Sequence, residues 1–164
     1  MNTINTACKG KVSSQDIGLL LIRVMIGVVF IFHGSQKLFG AFGGPGIEGF
    51  AGWLASMNVP LPTLNAYMAA GTEFFGGIAI LIGLTTRITA IPMAITMIVA
   101  IVMVHGEAFS VQQNGMEYPL TLGVVLIALT FTGAGRISLD HQLRNVVMCG
   151  KKRDGQKVEQ VVSV

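Results

Sequence analysis

Hydrophobic residues in this chain are gathered into four long runs, which are separated by shorter polar segments. Each run is close to the ~20 residues that an α-helix needs to cross ~30 Å of hydrocarbon. Open strand edges would leave unpaired backbone groups in a bilayer, so runs of this length are predicted to be helices. The pattern therefore predicts an all-α membrane protein, a four-transmembrane-helix bundle with helices over residues 17–39, 64–84, 88–105 and 118–134.

A shorter apolar pattern lies between the first two runs. The turn-forming sequence Gly43-Gly44-Pro45-Gly46 precedes apolar residues at helical spacings, namely Ile47, Phe50, Leu54 and Met57. Trp53 lies near the middle of this segment, and an indole ring favours the boundary between headgroups and acyl chains. We expect a short interfacial helix between helices 1 and 2, and the alternative is a packing cap over the bundle.

The basic residues are distributed unevenly between the two sides of the predicted bundle. Of the 11 lysines and arginines, all but Arg23 and Lys37 lie before the first run, between the second and third runs, or after the fourth. The opposite loops contain Glu48, Glu107 and Glu117. Because positively charged loops remain on the cytoplasmic side, both termini are predicted to be cytoplasmic.

A single membrane domain accounts for most of the chain. Residues 1–16 are predicted to form a cytoplasmic N-terminal segment, and residues 17–143 form the four-helix domain. Residues 144–164 form a basic tail without a periodic apolar face. We expect this tail to be mobile, because it has little apolar surface to bury.

Several classes of function find no support in the sequence. Only 12% of the residues are charged, and the basic residues cluster at the chain ends, a pattern typical of membrane orientation rather than nucleic-acid binding. Cys8 and Cys149 lie in the polar flanks without a C-x-x-C pair or nearby His and Asp residues, so neither a thiol redox centre nor a metal site is predicted. The glycines lie mainly in apolar helices, and no nucleotide-binding loop is predicted.

Ionisable side chains inside the apolar runs are the candidates for function, because each costs about 3 kcal/mol at the centre of a bilayer. The candidate intramembrane polar cluster comprises Arg23, His33, Gln36, Lys37 and Glu73. His33 and Lys37 share one face of helix 1, since they lie one helical turn apart. His105 and Glu107 end the third run and are candidates for the outer boundary, at the mouth of the same cleft.

Two interpretations of these charges remain open. In the first, Arg23 and Glu73 form a buried ion pair that sets the register of helices 1 and 2 without reacting. In the second, Glu73 exchanges protons with His33. Carboxylate, imidazole and ammonium groups would then face one apolar cleft, which suits a quinone headgroup or a proton relay.

Glycines predict where helices 1 and 2 meet. Gly27 and Gly34 lie on one stripe of helix 1, and Gly76 and Gly77 follow Glu73 on helix 2. Small residues let two helix backbones approach closely in a membrane. We therefore expect the two helices to pack at these positions.

The motifs of the chain resemble those of one bacterial family. They are Arg23-x3-Gly27, His33-Gly34-Ser35-Gln36-Lys37-Leu38-Phe39-Gly40, Gly43-Gly44-x-Gly46, Glu73-x2-Gly76-Gly77 and Gly83-x-Thr85. Over residues 16–143 the chain resembles the DoxX family. The resemblance implies a four-helix protein of the bacterial inner membrane, similar to the small DoxD subunit of thiosulfate:quinone oxidoreductase and to membrane partners of redox enzymes. It implies no defined catalytic residues, and related folds also serve as cargo receptors or assembly chaperones.

An accessory membrane subunit of an oxidoreductase system is the leading hypothesis, and a stand-alone enzyme is not predicted. The sequence itself demonstrates no cofactor, but the cleft in this hypothesis is of a size that could hold a quinone. The partners would be the lipid bilayer and redox-enzyme subunits. A small-solute transporter, a cargo receptor and a structural scaffold or chaperone without redox chemistry are the alternatives. A homo-oligomer remains open, and no nucleic-acid partner is predicted.

Overall fold

A computed structural model describes residues 11–146 of the chain. The basic tail predicted from residue 144 onward and the N-terminal segment therefore lie mostly outside the described residues, as do both cysteines. The described part is helical and contains no strand. Its main helices are α1 (Ser14–Phe39), α2 (Gly46–Ser56), α3 (Pro62–Ile82), α4 (Thr86–Ala100) and α5 (Glu117–Thr132).

The longest helix, α1, has well-defined ends. At its start Ser13 and Asp16 form a reciprocal capping box, in which the Asp16 carboxylate accepts a hydrogen bond from the Ser13 backbone N–H at 2.8 Å. At its end Gly40 adopts the left-handed conformation with φ of 68°, which glycine tolerates better than other residues. The 26 residues of α1 extend over about 39 Å, enough to cross a membrane.

Three helices are long and apolar enough to span a membrane. They are Ser14–Phe39, Pro62–Ile82 and Thr86–His105, the last being α4 continued by a π-helical turn. The fourth predicted run forms α5, a shorter apolar helix of 16 residues. It is short because the chain leaves the helix at Gly133, where φ is 76°.

The outer surface of these helices is strongly apolar. Leu21 and Met25 on α1, Phe75 on α3 and Phe131 on α5 each expose at least 65% of their surface. A water-soluble monomer rarely exposes apolar side chains on this scale. The surface is that of a protein surrounded by lipid.

The helices α1 and α3 make the most extensive contact in the bundle. A Cβ atom at Gly34 would lie 2.5 Å from the Phe74 backbone nitrogen, and one at Gly77 would lie 2.8 Å from the Ile31 nitrogen. The predicted packing of these two helices through glycines is therefore confirmed. Gly76 is the exception, because it faces α4, where a Cβ atom would lie 2.7 Å from the Met93 sulfur.

A second, smaller apolar cluster attaches α2 to the bundle. Phe50 of α2 is buried against Ala66 and Ala70 of α3, and Leu54 packs at the edge of the cluster. Trp53 remains 43% exposed. The helix predicted between the first two runs is thus present, and it folds back over α3.

Candidate functional site

An ion pair between Lys37 and Glu73 joins α1 to α3. The Lys37 ammonium lies 2.5 Å from Oε1 and 2.6 Å from Oε2 of Glu73. The Glu73 side chain is 3% exposed, whereas that of Lys37 is 28% exposed. The ammonium also lies 5.2 Å from the centre of the Phe50 ring, within the range of a cation–π contact. A buried carboxylate, its ammonium partner and an aromatic ring therefore lie together at this site.

The partner of Glu73 differs from the one expected from the sequence. Arg23 or His33 was expected, but the carboxylate pairs with Lys37. The reason is the register of the two helices, because Gly34 packs directly against Phe74, the neighbour of Glu73. Lys37 lies about 4.5 Å along α1 from that contact, whereas Arg23 lies about 16 Å away in the other direction.

His33 and Gln36 form a separate polar pair. The Nδ1 atom of His33 lies 3.2 Å from Oε1 of Gln36. The imidazole ring also contacts Tyr118 of α5 edge-on, with ring centres 6.2 Å apart. Sequence reasoning did not include Tyr118 among the candidates, although its position at the start of the fourth run places it at the same end of the bundle as Lys37.

Arg23 lies at the opposite end of the bundle and is 1% exposed. Its Nη2 atom donates a hydrogen bond to the Ile137 carbonyl, and Nε and Nη1 have no partner among the described residues. The guanidinium lies against Gly83, the residue that ends α3, where a Cβ atom would overlap it. The negative end of the α3 dipole is located there, and it favours a cation.

A cavity of about 670 Å³ lies between α2, α3 and α4. Lys37 and Glu73 form part of its wall, and most of the remaining lining is apolar, including Phe50, Trp53 and Met68. Pockets of this volume with an apolar lining and few polar groups are typical of sites for small organic molecules. Of the candidate cluster, Arg23, His33 and Gln36 do not line it.

The far wall of the cavity is formed by an irregular part of the third spanning helix. Pro92 lies inside α4 and lines the cavity, and its missing N–H interrupts the helical hydrogen bonds. The π-helical turn Ile101–His105 follows α4 and contributes His105 to the lining. Turns of this kind occur often at functional sites.

The two outer-boundary candidates have different environments. His105 lines the cavity, and its Nδ1 atom lies 2.7 Å from the Asn114 carbonyl oxygen. Glu107 is exposed and lies outside the cavity lining. The structure therefore brings Lys37, Glu73 and His105 to one cavity and leaves Glu107 apart.

Residues 18–106 match the family model described as DoxX. A protein of Bacillus subtilis (strain 168) named "Putative oxidoreductase CatD" is 35% identical over 77% of this chain and 87% of its own length. The chain belongs to the DoxX family. The matched region begins in α1 and ends just after the π-helical turn, so it contains Lys37, Glu73 and His105.

Other relatives of this DoxX protein have names that place them in a membrane. The "Inner membrane protein YqjF" of Escherichia coli (strain K12) is 32% identical over 79% of this chain and 94% of its own length. The "Inner membrane protein YphA" of the same strain is 26% identical over 87% of this chain and 100% of its own length. No solved structure matches the chain. The family and the apolar helices together show that this chain is a membrane protein. The resemblance to the DoxX family found in its motifs is confirmed.

Proposed function

We propose that this DoxX protein is an accessory membrane subunit of an oxidoreductase system, and that its cavity binds the headgroup of a quinone. The observation that carries the proposal is the combination of an apolar cavity of about 670 Å³ with a single ion pair in its wall. Such a site suits a molecule with a flat, weakly polar head and an apolar tail. The chain then supplies binding and orientation, and a partner subunit supplies electrons.

The proposal includes an arrangement in the inner membrane with four spanning helices, α5 being the fourth. The apolar character of α5 and its packing against α4 in the common core support this count. The helix α2 then lies at the outer interface, with Trp53 at headgroup level. Both termini are cytoplasmic in this arrangement, because the basic segments of the chain share that side.

Lys37 is the residue that we assign to the quinone carbonyl. An ammonium group has three hydrogen-bond donors, and Glu73 occupies two of them. The third donor remains for a carbonyl oxygen, and the partial exposure of Lys37 leaves the group accessible. Glu73 holds the ammonium in position, and the ring of Phe50 provides an apolar face for a quinone ring.

The proposed redox setting rests on the name of one relative rather than on the cavity. The relative CatD of Bacillus subtilis has a name that contains the word oxidoreductase. The residues that line the cavity can bind, orient and exclude water from a quinone, which are the contributions a protein makes to cofactor chemistry. An accessory subunit is therefore the role that fits both observations.

The binding of a short-chain ubiquinone analogue to the detergent-purified protein tests the proposal. The Ala100→Phe variant fills the cavity, because Ala100 lines it and lies outside the buried core. We expect this variant to bind at least about tenfold more weakly, because its ring occupies the space of the ligand. Ala128→Phe is the matched control, since Ala128 is exposed on α5 away from the cavity.

Two results would count against the proposal. One is the absence of saturable binding to the folded wild-type protein. The other is equal binding by the two alanine variants, which would show that the analogue dissolves in the detergent around the protein rather than in the cavity. Thermal unfolding midpoints of both variants verify that each is folded.

A further inference from the structure

A second cavity, of about 630 Å³, lies at the opposite end of the bundle. It is formed by the start of α1, the start of α4 and the segment that follows α5. Asp16 and Lys37 are separated by 21 residues of α1, or about 32 Å, so this cavity is distant from the proposed quinone site. We call it the arginine groove, after the residues Arg87, Arg136 and Arg144 that line it.

The two carboxylates of the groove are already occupied by backbone donors. Asp16 accepts hydrogen bonds from the backbone N–H of Ser13 and from that of Arg136, each at 2.8 Å. Asp140 accepts from the backbone N–H of Thr85 at 2.7 Å and of Thr86 at 3.1 Å. Both acids hold backbone N–H groups in place, and neither forms an ion pair with Arg87, Arg136 or Arg144. The groove therefore has three cationic side chains against two carboxylates, an excess of positive charge.

The guanidinium groups of the groove have few partners. Within residues 11–146 the only ion pair is that of Lys37 with Glu73. Arg87 donates to the Thr132 carbonyl at 3.5 Å, and Arg136 donates to the Lys11 carbonyl. A guanidinium has five N–H donors, so most of the donors in the groove remain available.

Apolar side chains border these guanidinium groups. Ile88 lines the groove and is 70% exposed. Phe131 is 76% exposed one residue before Thr132, which also lines the groove, and Leu143 is 51% exposed beside Arg144. A free inorganic anion would make no favourable contact with these apolar side chains. A lipid fits both parts of the surface, because its anionic head can bind the guanidinium groups and its acyl chains can contact the apolar side chains.

We infer that the arginine groove binds the phosphate group of an anionic phospholipid such as phosphatidylglycerol. The guanidinium groups bind the phosphodiester oxygens, a pairing that allows two parallel hydrogen bonds per group. The acyl chains then lie along Ile88 and Phe131. Basic pockets at the ends of spanning helices are suited to anionic headgroups, and this site does not depend on the proposed quinone function.

Native mass spectrometry of the delipidated full chain with added phosphatidylglycerol tests the inference. Arg87→Gln removes a charge from the groove, and Lys11→Gln removes one at the same end without altering the lining. We expect Arg87→Gln to weaken the binding of the first lipid about fivefold, and Lys11→Gln to change it less than about twofold. Phosphatidylcholine should bind more weakly than phosphatidylglycerol to the wild type and should not distinguish the two variants.

Three outcomes would overturn the inference. Equal weakening by both variants would mean general attraction to a basic surface. Unchanged binding by Arg87→Gln would mean that the groove is not the site. Binding of inorganic phosphate to the delipidated protein as tight as that of phosphatidylglycerol would identify a free anion as the ligand. Arg87 is exposed, so the variant should fold, and Arg144→Gln makes the same comparison if it does not.

Discussion

The two ends of the bundle contain cavities of similar volume, about 670 Å³ and about 630 Å³, but they satisfy their charges differently. At the Lys37 end, the buried acid is bound by a side chain that is itself partly exposed. At the Arg23 end, carboxylates bind backbone N–H groups, and the buried guanidinium binds a backbone carbonyl. The charged group at the Lys37 end can also bind a ligand, whereas the buried charged groups at the Arg23 end hold the helices together.

The two ends differ because their hydrogen-bond partners are not equally free to bind a further group. A backbone N–H at the start of a helix needs an acceptor, so Asp140 cannot leave Thr85 without exposing an unpaired donor. The Lys37 ammonium has a donor to spare and can bind a further acceptor while keeping Glu73. The Lys37 end is therefore suited to binding a ligand. At the other end, only the exposed arginines are free to bind one.

The largest effect is expected when the ion pair is broken. Lys37→Met leaves the Glu73 carboxylate buried without a cation, which should lower the free energy of unfolding by about 3 kcal/mol. Titration of the detergent-solubilised protein with sodium dodecyl sulfate measures this. The double variant Lys37→Met/Glu73→Met should lose less unfolding free energy than the single variant, because no unpaired charge remains buried at the site. Additive losses would show that the two side chains do not interact.

The helix contact beside the ion pair should have the next largest effect. A Cβ atom at Gly34 would collide with the backbone of Phe74, so Gly34→Ala should destabilise the protein by about 2 kcal/mol. Gly18→Ala on the same helix is the control, because a Cβ atom there has no neighbour within 4 Å. The control should be neutral or slightly stabilising, since alanine favours a helix. Equal effects of the two changes in the same unfolding titration would contradict the proposed register.

The smallest effect is expected at the other end of the bundle. Asp140→Ala removes the acceptor for two backbone donors at the start of α4 and should cost about 1 kcal/mol. Binding of the ubiquinone analogue should not change, because the two ends are far apart. Gln142→Ala, an exposed neighbour, should leave stability within about 0.5 kcal/mol. A loss of quinone binding in the Asp140 variant would show that the two ends are coupled.

The helices and the contact between α1 and α3 could be predicted from the sequence because both depend on local patterns. An apolar run of suitable length predicts a helix wherever it lies, and Gly27, Gly34 and Gly77 mark a face that another helix can approach. The family was also predictable, since its longest motif, residues 33–40, is contiguous in the sequence. Gly76 was assigned to the wrong neighbour because adjacent glycines on a helix point in different directions.

Which residues come together at the site could not be predicted, because this depends on contacts between distant parts of the chain rather than on a local sequence pattern. Pairing of Glu73 with Lys37 follows from the contact of Gly34 with Phe74, and a shift of that register would change the partner. The partner of Arg23 is a carbonyl at Ile137, more than a hundred residues away in an irregular segment. The cavity exists because α2 folds back over α3, and the spacing of apolar residues in α2 does not specify that direction.

Photo-crosslinking with an azido-ubiquinone analogue tests the central claim most directly. Peptide mapping of the labelled wild-type protein should locate the label at the cavity lining, for example near Met68 and Met103. Met25 provides the comparison, because it is 65% exposed on α1 but lies outside the cavity. We predict strong labelling at the cavity that is lost in Ala100→Phe. Labelling of equal strength near Met25, unchanged in that variant, would contradict the account.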